Sequence, residues 1–419
     1  MLNLDFDAVV TAANADGEFP RVARYWTCLL RLSFGRETVT FRLDDGHISV
    51  GPADAELGPD DVLITAPAQE WTKLLAAVPE AGWHDLYKAH GFTVDADFLV
   101  FGPYYAAIRR LVDLMRDQLH GIPADTTPQR VNRKFDDTVG RYLYLDVDGV
   151  QYRVYYEQTG TGIPLLLQHT AGADGRQWRH ILENRDYQDK FQMIAVDLPF
   201  HGKSLPPVGR AWWTEDYKLT RDFLLQFYDA FVEALELDRP AFMGCSVGGM
   251  LAPDLAYYRP GKYRAVIALN GALAMPTEHL ASPDRVRSWF HPRVSNEWKS
   301  SSMLGVMAPT SPEAYRRETA WTYSQGAPPV FTGDIYYYMQ DHDLTAEQAA
   351  EIDTEKTSVY LLTGEYDALA ITGGSKRLAE AIDGVHFEVN PGAGHFGPSE
   401  NPVAFTQTLD PVLTEIAKA

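Results

Sequence analysis

At 419 residues, with 45% hydrophobic and 22% charged side chains, the chain is long enough for two or three domains with sizeable cores, which argues against a disordered polymer. A formal net charge of -20 argues against nucleic acid or an anionic membrane as partner, because both need clustered Lys and Arg. Cys28 and Cys245 are the only cysteines, and the N-terminus has neither a basic n-region nor a long apolar stretch, so a reducing, cytoplasmic address is expected.

In chain order, the first expected unit spans residues 1–120. Thr27–Phe34 and Thr38–Leu43 are β-rich runs, Asp44-Asp45-Gly46 is a turn, and His47–Val50 is a further strand. Asp61–Ala66 follows as a strand running into the helix Gln69–Ala77. Phe101–Arg116 carries apolar residues at helical spacing after a proline-containing start, which predicts an amphipathic helix. This order of opening helix, antiparallel strands and a strand leading into an apolar-faced helix resembles the sterol-carrier-protein-like fold. The resemblance is topological and implies either lipid binding or a structural role such as dimerisation; the structural role is the expected one. His120–Gln129 is polar and broken by Pro and Gly, and a linker is expected over 121–139.

From about residue 140 the rhythm changes to short apolar strands separated by helix-length segments, the pattern of a mostly parallel sheet covered on both faces. Eight strands are expected, at Arg141–Asp146, Tyr152–Tyr156, Pro164–Gln168, Met193–Val196, Ala241–Met243, Ala265–Leu269, Ser358–Leu362 and His386–Val389. The first pair reads as a hairpin. After the fifth comes Gly244-Cys245-Ser246-Val247-Gly248, then the helix-like run Met250–Tyr258. Glycines two residues either side of a serine permit a sharp strand-to-helix turn that lifts the hydroxyl clear of the sheet, a nucleophile elbow. The N–H of Val247 at the helix start points to where an oxyanion would form.

With Asp197–Ser204 after the fourth strand and Gln168-His169-Thr170-Ala171-Gly172 after the third, residues 140–419 resemble the α/β-hydrolase superfamily. The resemblance implies an α/β-hydrolase fold with an eight-stranded, mostly parallel sheet and a small N-terminal α+β domain. It makes Ser246 the nucleophile, His395 in Gly392-Ala393-Gly394-His395 the general base, and Asp367 after Leu362-Thr363-Gly364 the group that orients the imidazole, with Glu365 the rival acid. Ala171 and Val247 are the expected oxyanion donors. Thr170 stands where many members have glycine, and Cys245 is expected to be a buried packing residue. Serine at the elbow disfavours the branches with a carboxylate nucleophile, so attack on a carbonyl is expected.

The insertion 272–357 would form a helical cap, and its aromatics favour a hydrophobic, aromatic-tolerant substrate. The expected substrate-binding residues are His169, Thr170, Trp289, Trp298, Trp321 and Tyr323. Metal-ligand spacing, P-loops and dinucleotide glycine patterns are missing, so neither metal nor cofactor is expected. Four functions stay open: a serine hydrolase of esters or lactones, which leads; a C–C bond hydrolase of the meta-cleavage-product type; an acyltransferase or perhydrolase; and a non-enzymatic ligand or lipid carrier. A homodimer acting on a small molecule is expected.

Overall fold

The computed structural model describes residues 3–122, 134–275, 286, 288–289 and 291–418. Most of the expected linker, residues 123–133, lies outside them. The chain divides into two compact units, one of Met1–Thr127 with Pro283–Thr310, the other of Pro128–Ser282 with Ser311–Ala419.

The first unit is built on a five-stranded sheet, β1 (Thr27–Phe34), β2 (Glu37–Asp44), β3 (His47–Val50), β4 (Val62–Ala66) and β5 (Thr93–Asp95), in the order β3-β2-β1-β4-β5. β1 runs antiparallel to β2 and parallel to β4, so the chain crosses over between β3 and β4. β5 has three residues, too few for a period to show in sequence. The helix Phe6–Ala15 starts at Asp5, whose carboxylate accepts from the N–H of Asp7 and Ala8. The long helix is Tyr105–His120 and begins later than the sequence pattern implies, because Gly102-Pro103 forms a 3-10 turn ahead of it. Its buried face, Ala107, Ile108, Leu111, Val112 and Met115, recurs at helical spacing and packs with Trp71, Phe41 and Ile64.

The same core takes in Trp298 from the helix Ser295–Leu304, a segment expected in the cap. Its indole is 4% exposed and packs edge-on to Tyr87 and Phe98, with ring centroids 5.0 and 4.7 Å away. Trp289 is partly buried against this core too.

The second unit holds β6 (Val139–Val147), β7 (Val150–Thr159), β8 (Ile163–Gln168), β9 (Phe191–Val196), β10 (Ala241–Cys245), β11 (Ala265–Leu269), β12 (Ser358–Gly364) and β13 (His386–Asn390). Their order is β13-β12-β11-β10-β8-β9-β7-β6; β6, β7 and β9 pair antiparallel and the rest parallel. This is the α/β-hydrolase fold. β10 and β11 are buried throughout and read as continuous apolar runs, as strands covered on both faces must. The helix Arg221–Ala234, capped by Thr220, buries Leu224, Phe227, Tyr228 and Phe231 on one stripe. Parallel pairing of β8, β10, β11 and β12 brings their carboxyl ends to one edge, where ligands bind in open α/β sheets.

Candidate active site

Between β10 and the helix Val247–Tyr258, Ser246 sits at φ 57° and ψ -106°, a conformation that side chains rarely adopt. The strain is held by packing: the Ser246 N–H donates to the Leu269 carbonyl at 3.0 Å, and a Cβ on Gly244 would collide with the backbone of Gly248. Cys245, one residue earlier, is fully buried and its thiol donates to the His395 carbonyl at 3.1 Å. Burial pushes that thiol well up, so no thiolate is offered.

Asp367 follows β12 and caps the short helix Ala368–Ile371, its Oδ1 accepting from the Leu369 N–H at 2.7 Å. Its Oδ2 accepts from Nδ1 of His395. Glu365, the rival acid, instead accepts from the Gly392 N–H at 2.9 Å. Asn270, at φ 56° after β11, was not anticipated: its Nδ2 donates to the His395 carbonyl at 2.8 Å, and its Oδ1 accepts from the Gly364 N–H at 3.0 Å. It thus ties the histidine loop to the end of β12. The Gly394 N–H donates to the fully buried Glu400, which holds the same loop from its other side.

After β8, the Thr170 N–H donates to Gln177 Oε1 at 2.9 Å and the Gly172 N–H to Asp334 Oδ2 at 2.7 Å. Between them, the Ala171 N–H has no acceptor among the described residues, and neither has that of Val247. Two backbone donors are thereby left unspent at the ends of the neighbouring strands β8 and β10.

His169, expected to touch substrate, is buried with both ring nitrogens occupied. The Leu198 N–H donates to Nε2 at 3.1 Å, which leaves the proton on Nδ1, and Nδ1 donates to the Thr170 carbonyl at 2.8 Å. Burial, then the neighbouring His201, pushes its pKa down to about 4. His201, with its ring 4.7 Å away, is in the opposite state. Its Nδ1 faces the Pro199 carbonyl at 2.9 Å and its Nε2 the Asp334 carboxylate at 2.8 Å, so both nitrogens must donate. Burial opposes that charge, but the Asp334 carboxylate outweighs it and the pKa rises.

The His169 environment carries a pH dependence. A pKa lowered by folding means that the unfolded chain binds more protons between about pH 6.5 and pH 4, so this contribution to stability is present above that window and is lost as pH falls through it. The urea midpoint is expected to fall across that range, with a shallower slope in His169→Gln; an identical slope would place the titration elsewhere.

An Alpha/beta hydrolase family model matches residues 165–408, more than half of the chain. The chain belongs to the alpha/beta hydrolase family. A thermophilic esterase from Thermogutta terrifontis shares the fold, with TM-score 0.57, 20% identity and coverage of 66% of this chain and 99% of that one. Among curated proteins, 3-oxoadipate enol-lactonase 2 of Acinetobacter baylyi is 22% identical over 59% of this chain and 88% of its own. The 2-hydroxy-6-oxononadienedioate/2-hydroxy-6-oxononatrienedioate hydrolase of Burkholderia vietnamiensis is 25% identical over 35% of this chain, and the match spans only half of that relative.

Within this alpha/beta hydrolase, the six residues expected to bind substrate part company. Thr170 and Tyr323 lie together, hydroxyl on hydroxyl, and Tyr323 packs on Phe396, the neighbour of His395, with ring centroids 5.4 Å apart. Trp321, two residues earlier on the same helix, is 58% exposed, with Arg176 over its ring. Trp298 and Trp289 pack in the first unit, because aromatic content shows that a residue will be buried but not in which core.

Tyr338, among the insertion's aromatics but not picked out, is partly buried; burial raises its phenol pKa, and the nearby Asp367 carboxylate raises it further. It stands in the π-helical turn Tyr337–Asp341, which is pinned where Tyr337 and His342 both donate to the buried Asp254, at 2.7 and 3.0 Å. A cavity of about 400 Å³ runs along the loop after β8, lined by Ala173, Arg176, Asp197, Lys203, Gln325 and Val330; neither Ser246 nor His395 lines it.

Proposed function

We propose that this chain is a cofactor-independent serine hydrolase that cleaves the carboxylic ester or lactone of a hydrophobic small molecule through an acyl-enzyme. The observation that carries this reading is the Nδ1 bond from His395 to Asp367, which leaves the Nε2 lone pair as the base in a unit where Ser246 stands on a strained elbow. Ser246 Oγ adds to the substrate carbonyl carbon while its proton passes to His395 Nε2. The carbonyl oxygen becomes an oxyanion and accepts from the N–H of Ala171 and Val247. Collapse breaks the C–O bond, the leaving alkoxide takes the proton from His395, and water repeats the sequence on the acyl-enzyme. Tyr338, partly buried and within reach of the Asp367 charge, is the proposed substrate-facing side chain.

A C–C bond hydrolase is the second reading, favoured by the similarity to the 2-hydroxy-6-oxononadienedioate/2-hydroxy-6-oxononatrienedioate hydrolase of Burkholderia vietnamiensis. The test sets p-nitrophenyl butanoate beside a yellow 2-hydroxy-6-oxo-dienoate, with a fluorophosphonate to label the serine. The ester is expected to turn over and Ser246 to be labelled. Bleaching of the dienoate with the ester untouched would give the site to C–C cleavage.

For the first unit we propose a structural role. Its core is filled by its own aromatics, Trp298 among them, which supports a structural role over the lipid binding that a sterol-carrier-like module would imply.

A further inference from the structure

We propose that Asp334 is a positioning residue for the oxyanion hole, holding the Ala171 N–H in place from the helix Pro328–Tyr336 of the insertion; this rests on the serine-hydrolase reading. Asp334 is 1% exposed and carries three donors: the Gly172 N–H at 2.7 Å and His201 Nε2 at 2.8 Å on Oδ2, and the Tyr217 hydroxyl at 3.0 Å on Oδ1. Gly172 has φ 65°, and a Cβ there would run into the ring of Phe331. Phe331 and Asp334 are one helical turn apart, so a single face of that helix packs a ring on Gly172 and takes its N–H. On the other side of Ala171, Thr170 is held through its N–H by Gln177 and through its hydroxyl by Tyr323, also from the insertion.

The peptide that would bind the oxyanion is therefore flanked on both sides by hydrogen bonds, and two of their partners come from the insertion. An apolar contact would serve if the insertion only had to stick. A buried carboxylate is costly unless every lone pair that matters is used, and here it is used on an N–H one residue from the donor that must not move. The titratable groups facing the His201–Asp334 pair are His169, Asp197, Tyr217 and Tyr323, and of these four only Tyr217 bonds to the Asp334 carboxylate.

The experiment uses the full chain and p-nitrophenyl butanoate. Asp334→Ala is expected to lower kcat about 100-fold, the size of one misplaced oxyanion donor, with KM within about threefold. Asp334→Asn, which can keep an oxygen toward Gly172, is expected to restore most of that loss. Tyr217→Phe removes a hydrogen bond from the same carboxylate without touching the loop, and should change stability but not kcat. If Asp334→Ala leaves His201 as an unpaired charge and does not fold, the double variant Asp334→Leu with His201→Leu replaces the pair by apolar groups, a change that buried ion pairs often tolerate. It should fold and show the same loss of kcat. Wild-type kcat in a folded Asp334→Ala or double variant, or loss in Asp334→Asn equal to that in Asp334→Ala, would overturn the inference alone. A wild-type protein that neither turns over the ester nor is labelled at Ser246 would overturn the hydrolase reading with it.

Discussion

Replacing Ser246 by alanine is expected to lower kcat for p-nitrophenyl butanoate by roughly 10³-fold or more while the fold persists. The alanine methyl fits the elbow, so on the serine-hydrolase reading what is lost is the nucleophile. Oxyanion donors and binding alone sustain little turnover, because the remaining base has only water to activate. Asp367→Asn should cost on the order of 10⁴-fold, since an amide can favour the wrong imidazole tautomer. Cys245→Ala is the discriminating control: its thiol is buried, its pKa is pushed up, and it is spent on a backbone carbonyl, so activity should survive. Turnover that persists in Ser246→Ala and vanishes in Cys245→Ala would hand the role to the thiol.

The second large effect falls in the first unit. Trp298→Ala is expected to cost about 3–5 kcal/mol, the usual range for deleting a buried tryptophan, because four aromatic rings, those of Tyr87, Phe98, Phe101 and Tyr105, lose their shared partner. That corresponds to a fall in melting temperature on the order of 10 °C for the transition of this unit. Trp321→Ala, at an exposed site, should change stability by no more than about 0.5 kcal/mol. Calorimetry on both variants checks the contrast, and equal effects would refute the assignment of Trp298 to a core.

The strands of the second unit were legible because β10 and β11 are buried on both faces and so carry unbroken apolar runs. That Ser246, Asp367 and His395 stand in loops at strand ends, and that the last two are bonded, was legible because flanking glycines confine where such turns can form. Long-range partners were not. Nothing near Asp334 in the sequence marks it as the acceptor for Gly172 and His201, and Asn270 reads as an ordinary loop residue until its two bonds are seen. The burial of His169 was hidden for a related reason: its position after β8 was right, but the Leu198 N–H that occupies its ring comes from another strand's loop. Trp298 illustrates the limit of composition, since an aromatic stripe has no address.

The division of the first unit between Met1–Thr127 and Pro283–Thr310 has a consequence for synthesis. A nascent chain translated from the N-terminus exposes β1 to β5 first, yet the aromatic cluster that completes their core waits for Trp298, which is made only after β6 to β11. Contacts of such sequence separation carry a high loop-closure cost and form late. The early half of this unit must then spend translation with Tyr87, Phe98 and Tyr105 uncovered, a period in which its apolar surface is open to chaperones and to aggregation. Refolding yield should accordingly depend on chain concentration more steeply than the compactness of either unit suggests.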